Sequence, residues 1–182
     1  MSATSDLRLR VMRDADLAAY KALRDSMLAR YPDSFTSSAA VEVARSAESY
    51  SSRVGMRPGG HCLFTLCAWS GAAEPQMLGA LTAEFDLRPK VRHIAHIIGM
   101  MVRESAQGRG IGRALLEQAL RMLESEPVLS LVTLSVSTHN ESAVRLYSSC
   151  GFTRYGRLEN AMRMDDGRML GKDLMSRPLP LK

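Results

Sequence analysis

Cysteine is sparse in this chain. The three present, Cys62, Cys67 and Cys150, are odd in number and form no C-x-x-C pair. Neither a disulfide framework nor a zinc site is indicated, and a reducing compartment is expected. Long apolar runs are also missing. The longest mostly apolar stretch, Ile94 to Val102, is far too short to span a bilayer, and Met1 to Arg13 has no apolar segment of the kind a secretory leader needs. A cytoplasmic protein with no membrane partner is expected. Lysine is rare beside arginine, 4 against 20, at a net charge of +5. The arginines are scattered from Arg8 to Arg177 rather than clustered, so no nucleic-acid partner is expected. Planar guanidinium forks suit anion recognition, although codon bias in the source would give the same composition. Aromatic residues are few, at 5%.

What is present is an ordinary globular composition, 46% hydrophobic and 24% charged over 182 residues. That length suffices for one substantial core and is short for two. No repeat, low-complexity tract or Pro/Gly linker divides it, so residues 1–182 are expected to form a single domain. A short strand, Leu7 to Val11, leads to a helix start where Asp14 or Asp16 offers an oxygen to the free amides. Leu17, Tyr20, Leu23, Met27 and Leu28 recur at helical spacing up to Arg30, and Pro32 stops the run. A second helical stretch is expected from about Ala40 to Arg53, ending near Gly55, Pro58 and Gly59. His61 to Trp69 and Met77 to Leu87 read as a hairpin across Gly71 and Pro75, and His93 to Val102 as a third antiparallel strand. Ile111, Leu115, Ala119 and Met122 share a helical face. Leu129 to Val136 reads as a fully buried strand, and Asn140 to Cys150 as a helix that Gly151 ends in the left-handed conformation. Phe152 to Leu158 and Arg168 to Met175 are the last strands. This order predicts an α/β mixed sheet with helices on both faces.

The informative stretch is Val102 to Arg113, V-R-E-S-A-Q-G-R-G-I-G-R. Gln107, Gly108, Arg109, Gly110, Ile111 and Gly112 lie between a strand and an amphipathic helix, whose first amides have no partner within the helix. Glycines let the backbone curl around a ligand, and the helix dipole favours negative charge. A phosphate cradle is expected, with Arg109 and Arg113 adding fixed positive charge. The G-x-G-x-G spacing departs from the dinucleotide fingerprint, and no Lys-Ser/Thr follows as a P-loop requires, so nucleotide hydrolysis is disfavoured.

Gln107 to Gly112 resembles the Q/R-x-x-G-x-G/A signature of the GNAT superfamily of acyl-CoA-dependent N-acyltransferases. The segment Leu129 to Ala143 followed by Leu146-Tyr147-x-x-x-Gly151-Phe152 resembles that family's second block, in the right order and separation. The resemblance implies a GNAT-like fold of mostly antiparallel strands and an N-acetyltransferase that uses acetyl-CoA, without a metal. It implies that acetyl-CoA lies between the third and fourth strands, which splay apart. Met100, Met101 and Val102 would pair with the pantetheine arm and polarise the thioester carbonyl, while Gln107, Gly108, Arg109, Gly110, Ile111, Gly112 and Arg113 would hold the pyrophosphate. Tyr147 would donate to the departing thiolate, and Asn140 would brace the cofactor or cap the last helix.

An amine acceptor arrives as an ammonium and must lose a proton before it attacks. His96, eleven residues before Gln107, occupies the strand position where histone-acetylating members of the family carry a glutamate base, and imidazole suits that task near neutral pH. A local hydrogen bond would explain His96 equally well. Glu84 on the preceding strand is the competing base. His93 and His96 point to opposite strand faces, which disfavours a metal pair. The acceptor pocket is expected from Pro32 to Ser38 and Leu158 to Gly167, and neither segment selects a small amine over a protein. A homodimer is compatible with the resemblance, with no segment marking an interface. The rival reading is an acyl-CoA-binding sensor or interaction module with the same fold.

Overall fold

The computed structural model describes residues 7–55 and 61–180, so Pro58 and Gly59 lie outside the described residues. Seven strands form one sheet: β1 (Arg8–Val11), β2 (Cys62–Trp69), β3 (Met77–Phe85), β4 (Ile94–Val102), β5 (Leu131–Ser137), β6 (Thr153–Arg163) and β7 (Met169–Pro178). They are ordered β1-β2-β3-β4-β5-β7-β6, and every neighbouring pair is antiparallel except β4 with β5. The mixed, mostly antiparallel α/β sheet is as the element order implied.

Two layers of helix cover the sheet. Helix α3 (Ile111–Ser125) puts Leu115, Leu116, Ala119, Leu120 and Leu123 into a core with Leu66, Leu81, Ile97 and Leu134. Helix α4 (Glu141–Ser149) adds Tyr147 to that core, beside Phe152. On the opposite face α1 (Leu17–Arg30) buries Tyr20, Leu23 and Met27 against Cys67, Trp69, Ala80 and Met101. Each face thus takes alternate strand residues, the two-residue period of a sheet covered on both sides.

Four local expectations are corrected. The carboxylate of Asp16 does not cap the helix ahead of it; it accepts from the Arg13 amide behind it (2.8 Å) and from the Arg10 guanidinium (2.7 Å). The second helical stretch is broken into α2 (Ala39–Val43) and a 3-10 stretch, Ala47–Arg53. A continuous helix would carry Tyr50 about 12 Å along the axis from Glu42, whereas the break lets Tyr50 donate to Glu42, which also accepts from Arg24 Nε at 2.9 Å. The strand β5 is not buried on both faces, because Val132, Leu134 and Val136 enter the core while Ser135 is exposed. Finally, Leu158 lies within β6 and is 56% exposed, so the last hairpin is longer than expected and its turn is confined to 164–168.

Candidate active site

The parallel ladder between β4 and β5 runs from Ile94–Leu131 to Ile97–Leu134 and stops, although both strands continue. The sheet therefore opens between its fourth and fifth strands. The expectation of an opening between the third and fourth is corrected, since β3 and β4 stay paired from Phe85–Ala95 to Gly79–Val102. Within that pairing a bulge sets Gly99 and Met100 against Leu81, with Gly99 at φ +59°. Bulges of this kind redirect a strand and take a glycine where φ is positive. A cavity of about 700 Å³ fills the opening, within the range of small-molecule sites at roughly 300–1,000 Å³.

One end of the cavity is made by Gln107, Gly108, Gly110, Ile111, Gly112 and Arg113. Gly110 precedes α3 at φ +78° and supplies no capping side chain, so the first amides of α3 stay open to a ligand. A Cβ on Gly108 or Gly110 would meet nothing within 4 Å, and the glycines serve backbone conformation there. Gly112 is different: a Cβ there would lie 3.3 Å from both Leu146 Cδ2 and Met100 Cε, so its smallness brings α3 close to α4 and β4. Gln107 Nε2 donates to the Val102 carbonyl (3.1 Å) and ties the loop to the strand end. Arg113 lines the cavity and donates to Ser149 Oγ (2.7 Å), while Arg109 is exposed and outside the lining.

Met100, Met101 and Val102 line the middle of the cavity. Tyr147 faces them across the opening, its hydroxyl 3.5 Å from Met100 Sδ and its ring edge-on to Phe152 at 6.0 Å. Burial pushes its phenol up to about 12, so it holds its proton and acts as a donor at neutral pH. Asn140 caps α4, accepting from the Ala143 amide at 3.1 Å, and its Nδ2 donates to Ser34 Oγ at 3.3 Å. The expected cap is present, and it also ties α4 to the loop that closes the cavity.

His96 and Glu84 face each other directly across β3 and β4. His96 Nδ1 lies 2.6 Å from Thr133 Oγ1, the local partner that the alternative reading of His96 requires. Neither residue is in the cavity wall, and no Asp, Glu or His is found there among the described residues. The wall instead carries Arg24, Arg53 and Lys172, which were not foreseen, beside Tyr31, Ser34, Phe35, Thr36 and Ser37. Of the segments expected at the acceptor pocket, Pro32 to Ser38 contributes Ser34 to Ser37 to the cavity wall, while nothing from Leu158 to Gly167 reaches it. Burial pulls the Lys172 ammonium below the usual lysine range, and its Nζ donates to Thr36 Oγ1 at 2.6 Å. One signal for Arg24 was readable: it sits four residues after Tyr20 on the apolar stripe of α1. Among the described residues no three His, Cys, Asp or Glu side chains group as metal ligands, and no helix is long and apolar enough to cross a membrane.

Residues 21–152 match the family model described as "Acetyltransferase (GNAT) family". The chain belongs to the GNAT family. N-alpha-acetyltransferase RimI of Mycobacterium tuberculosis is 36% identical over 110 residues, 60% of this chain and 57% of that protein. The [ribosomal protein bS18]-alanine N-acetyltransferase of Escherichia coli K12 is 33% identical over 99 residues, 54% of this chain and 64% of that protein. The chain therefore spans less than two thirds of these curated relatives. Among solved structures, a GNAT-family acetyltransferase from Streptococcus pneumoniae superposes with a TM-score of 0.82 at 22% identity, covering 96% of this chain and 100% of that one. Acetyl-CoA is the donor that the family uses in general.

Proposed function

We propose that the protein transfers the acetyl group of acetyl-CoA to a primary amine, of a small molecule or a protein, by direct attack. The observation that carries this reading is one cleft, opened by the parting of β4 and β5, with an uncapped helix start at one end and a buried, protonated Tyr147 beside the strand opening.

The residues fit the co-substrate. The amides opening α3 suit a pyrophosphate, and Arg113 stands beside them. The edge of β4 beyond Ile97 has no strand partner on its β5 side, so the backbone at Met100 to Val102, whose last carbonyl Gln107 holds, would pair there with a pantetheine arm. Bound acetyl-CoA would supply an activated acyl carbon. The amides around Met100 to Val102 are held in place to polarise a carbonyl before reaction begins, where preorganised donors are most effective. Tyr147 would donate a hydrogen bond to the sulfur as negative charge develops on it. Because neither His96 nor Glu84 lines the cleft, the ammonium proton leaves to water in this reading, and either side chain takes part only behind that water. Arg109, exposed on the loop, would add charge near the anion without touching it.

The lack of a carboxylate or imidazole in the wall is the observation that favours the second reading, an acyl-CoA-binding module without turnover. A screen of amine acceptors for thiol release from acetyl-CoA separates the two, with Tyr147→Phe as control. Turnover with any acceptor, slowed in the variant, supports transfer; tight acetyl-CoA binding with no thiol released by any amine overturns it. Comparing the pH–rate profiles of His96→Ala and Glu84→Ala then identifies a base, since only its loss removes the pH dependence.

A further inference from the structure

At the acceptor end, three donors from two elements converge beside the β4 bulge. A point one carbon out from Gly99 lies 3.8 Å from Arg53 Nη1, 4.0 Å from Arg24 Nη1 and 4.0 Å from the Tyr20 hydroxyl. The Tyr20 hydroxyl and Arg53 Nη1 are both buried without a hydrogen-bond partner, and Tyr20 is 0% exposed. Buried donors left unmatched are costly, and a native site that keeps two of them within 4.0 Å of one point needs an acceptor there.

The protein's own acids do not supply it. Glu42, the carboxylate on Arg24, is already shared with Arg45 and Tyr50. Arg24 is further held by Ser37 Oγ at 2.8 Å, which fixes its guanidinium and leaves Nη1 toward the bulge. Lys172 adds another cation to the same cavity wall. An acceptor with only an ammonium would meet like charge here. One that brings its own oxyanion would neutralise the surplus and offer lone pairs to a guanidinium fork.

We propose that Arg53, Arg24 and Tyr20 form a subsite for an oxyanion carried by the acceptor close to its amine, a carboxylate or a phosphonate, so that the acceptor is a compact amino acid and not the amine of a peptide chain. The subsite rests on the reading that the cleft takes an amine. Met27, Phe35 and Ile98 in the same wall leave an apolar surface for its side chain.

The test is calorimetric titration of the protein saturated with coenzyme A, which requires no turnover. Probes are the free L-amino acids, aminoalkylphosphonates and the carboxamides of the same amino acids. The best acid is expected to bind at least about 10-fold more tightly than its own amide, the scale of a hydrogen bond to a charged group, and the carboxylate and phosphonate arms identify which acid is preferred. In Arg53→Gln the ratio should fall below about 3, with Arg53→Lys intermediate because charge is kept and the fork lost; unchanged coenzyme A affinity verifies that the variants fold. Acids and amides binding within about twofold of each other in the wild type, or the same ratio in Arg53→Gln, overturns the subsite. Thiol release from acetyl-CoA is measured in parallel. Selective acid binding without thiol release refutes transfer and leaves the subsite standing; release with amides as readily as with acids does the reverse.

Discussion

Replacing Tyr147 by Phe removes one hydroxyl from the centre of the cleft, and the structure sets the size of the effect. Burial raises the phenol to about 12, whereas a thiol in water titrates near ~8.5. Full transfer of the proton to a thiolate would be uphill by roughly 3.5 units, or about 5 kcal/mol. Tyr147 is therefore expected to keep its proton and stabilise the sulfur through a hydrogen bond. A bond to a charged acceptor contributes about 1.5–3 kcal/mol, so kcat for thiol release should fall roughly 10- to 100-fold. Folding should barely respond. Among the described residues the hydroxyl donates only to the Met100 thioether, a weak acceptor, and the ring contact with Phe152 survives; denaturant unfolding should agree with the wild type within about 0.5 kcal/mol. The assay is thiol release at saturating substrates between pH 6 and about 10, alongside urea unfolding. Unchanged kcat, a fall in kcat matched by an equal loss of stability, or a tyrosine-dependent break in the profile below about pH 10 would each refute the argument.

Gly110→Ala places a side chain at φ +78° with nothing within 4 Å to strike, so it should cost about 1–2 kcal/mol through backbone strain alone and weaken acetyl-CoA binding; an equally stable variant would show that the turn relaxes at no cost. Asn140→Ala removes the cap on Ala143 and the link to Ser34, with an expected loss near 1 kcal/mol in urea unfolding. Asn140→Asp keeps an oxygen for the cap and should recover most of it. The Arg10 guanidinium holds the Asp16 carboxyl below its ordinary range. The unfolded chain thus binds more protons than the folded one as pH falls below about 4, so that stabilisation is complete above the unfolded pKa and is lost through the lower folded one. Asp16→Asn should flatten the acid limb of the stability–pH curve, and an unchanged limb would remove the pair from the account.

The glycine-lined end of the cleft was readable because its geometry is encoded locally. Glycines at 108, 110 and 112, a helix start and the Asn140 cap are all encoded within a few residues of the groups they arrange. The opposite wall was not, because it is assembled at long range: Arg24 comes from α1, Arg53 from a 3-10 stretch and Lys172 from β7, and apart from the place of Arg24 on the apolar stripe of α1 no local pattern marks them. Ser135 looked like a core residue for the same reason, since only the parting of β4 from β5 turns one face of a buried strand into a cavity wall. His96 is a case of the same long-range assembly. Its strand and register were legible, yet its partner, Thr133, arrives through the parallel pairing across the sheet.

That parting also divides the domain mechanically. Among the described residues the strand ladder between the half-sheet β1–β4 and the half-sheet β5–β7 is only four residue pairs long, Ile94–Leu131 to Ile97–Leu134. A ligand whose own amides lie along the gap would lengthen this seam as a borrowed strand, so occupancy and folding are linked by mass action. At a ligand concentration of 100 times Kd the linkage contributes about 2.7 kcal/mol, a sizeable fraction of the ~5–15 kcal/mol that holds a domain together. The concentration of acyl donor would then set how long the protein survives as well as how fast it works.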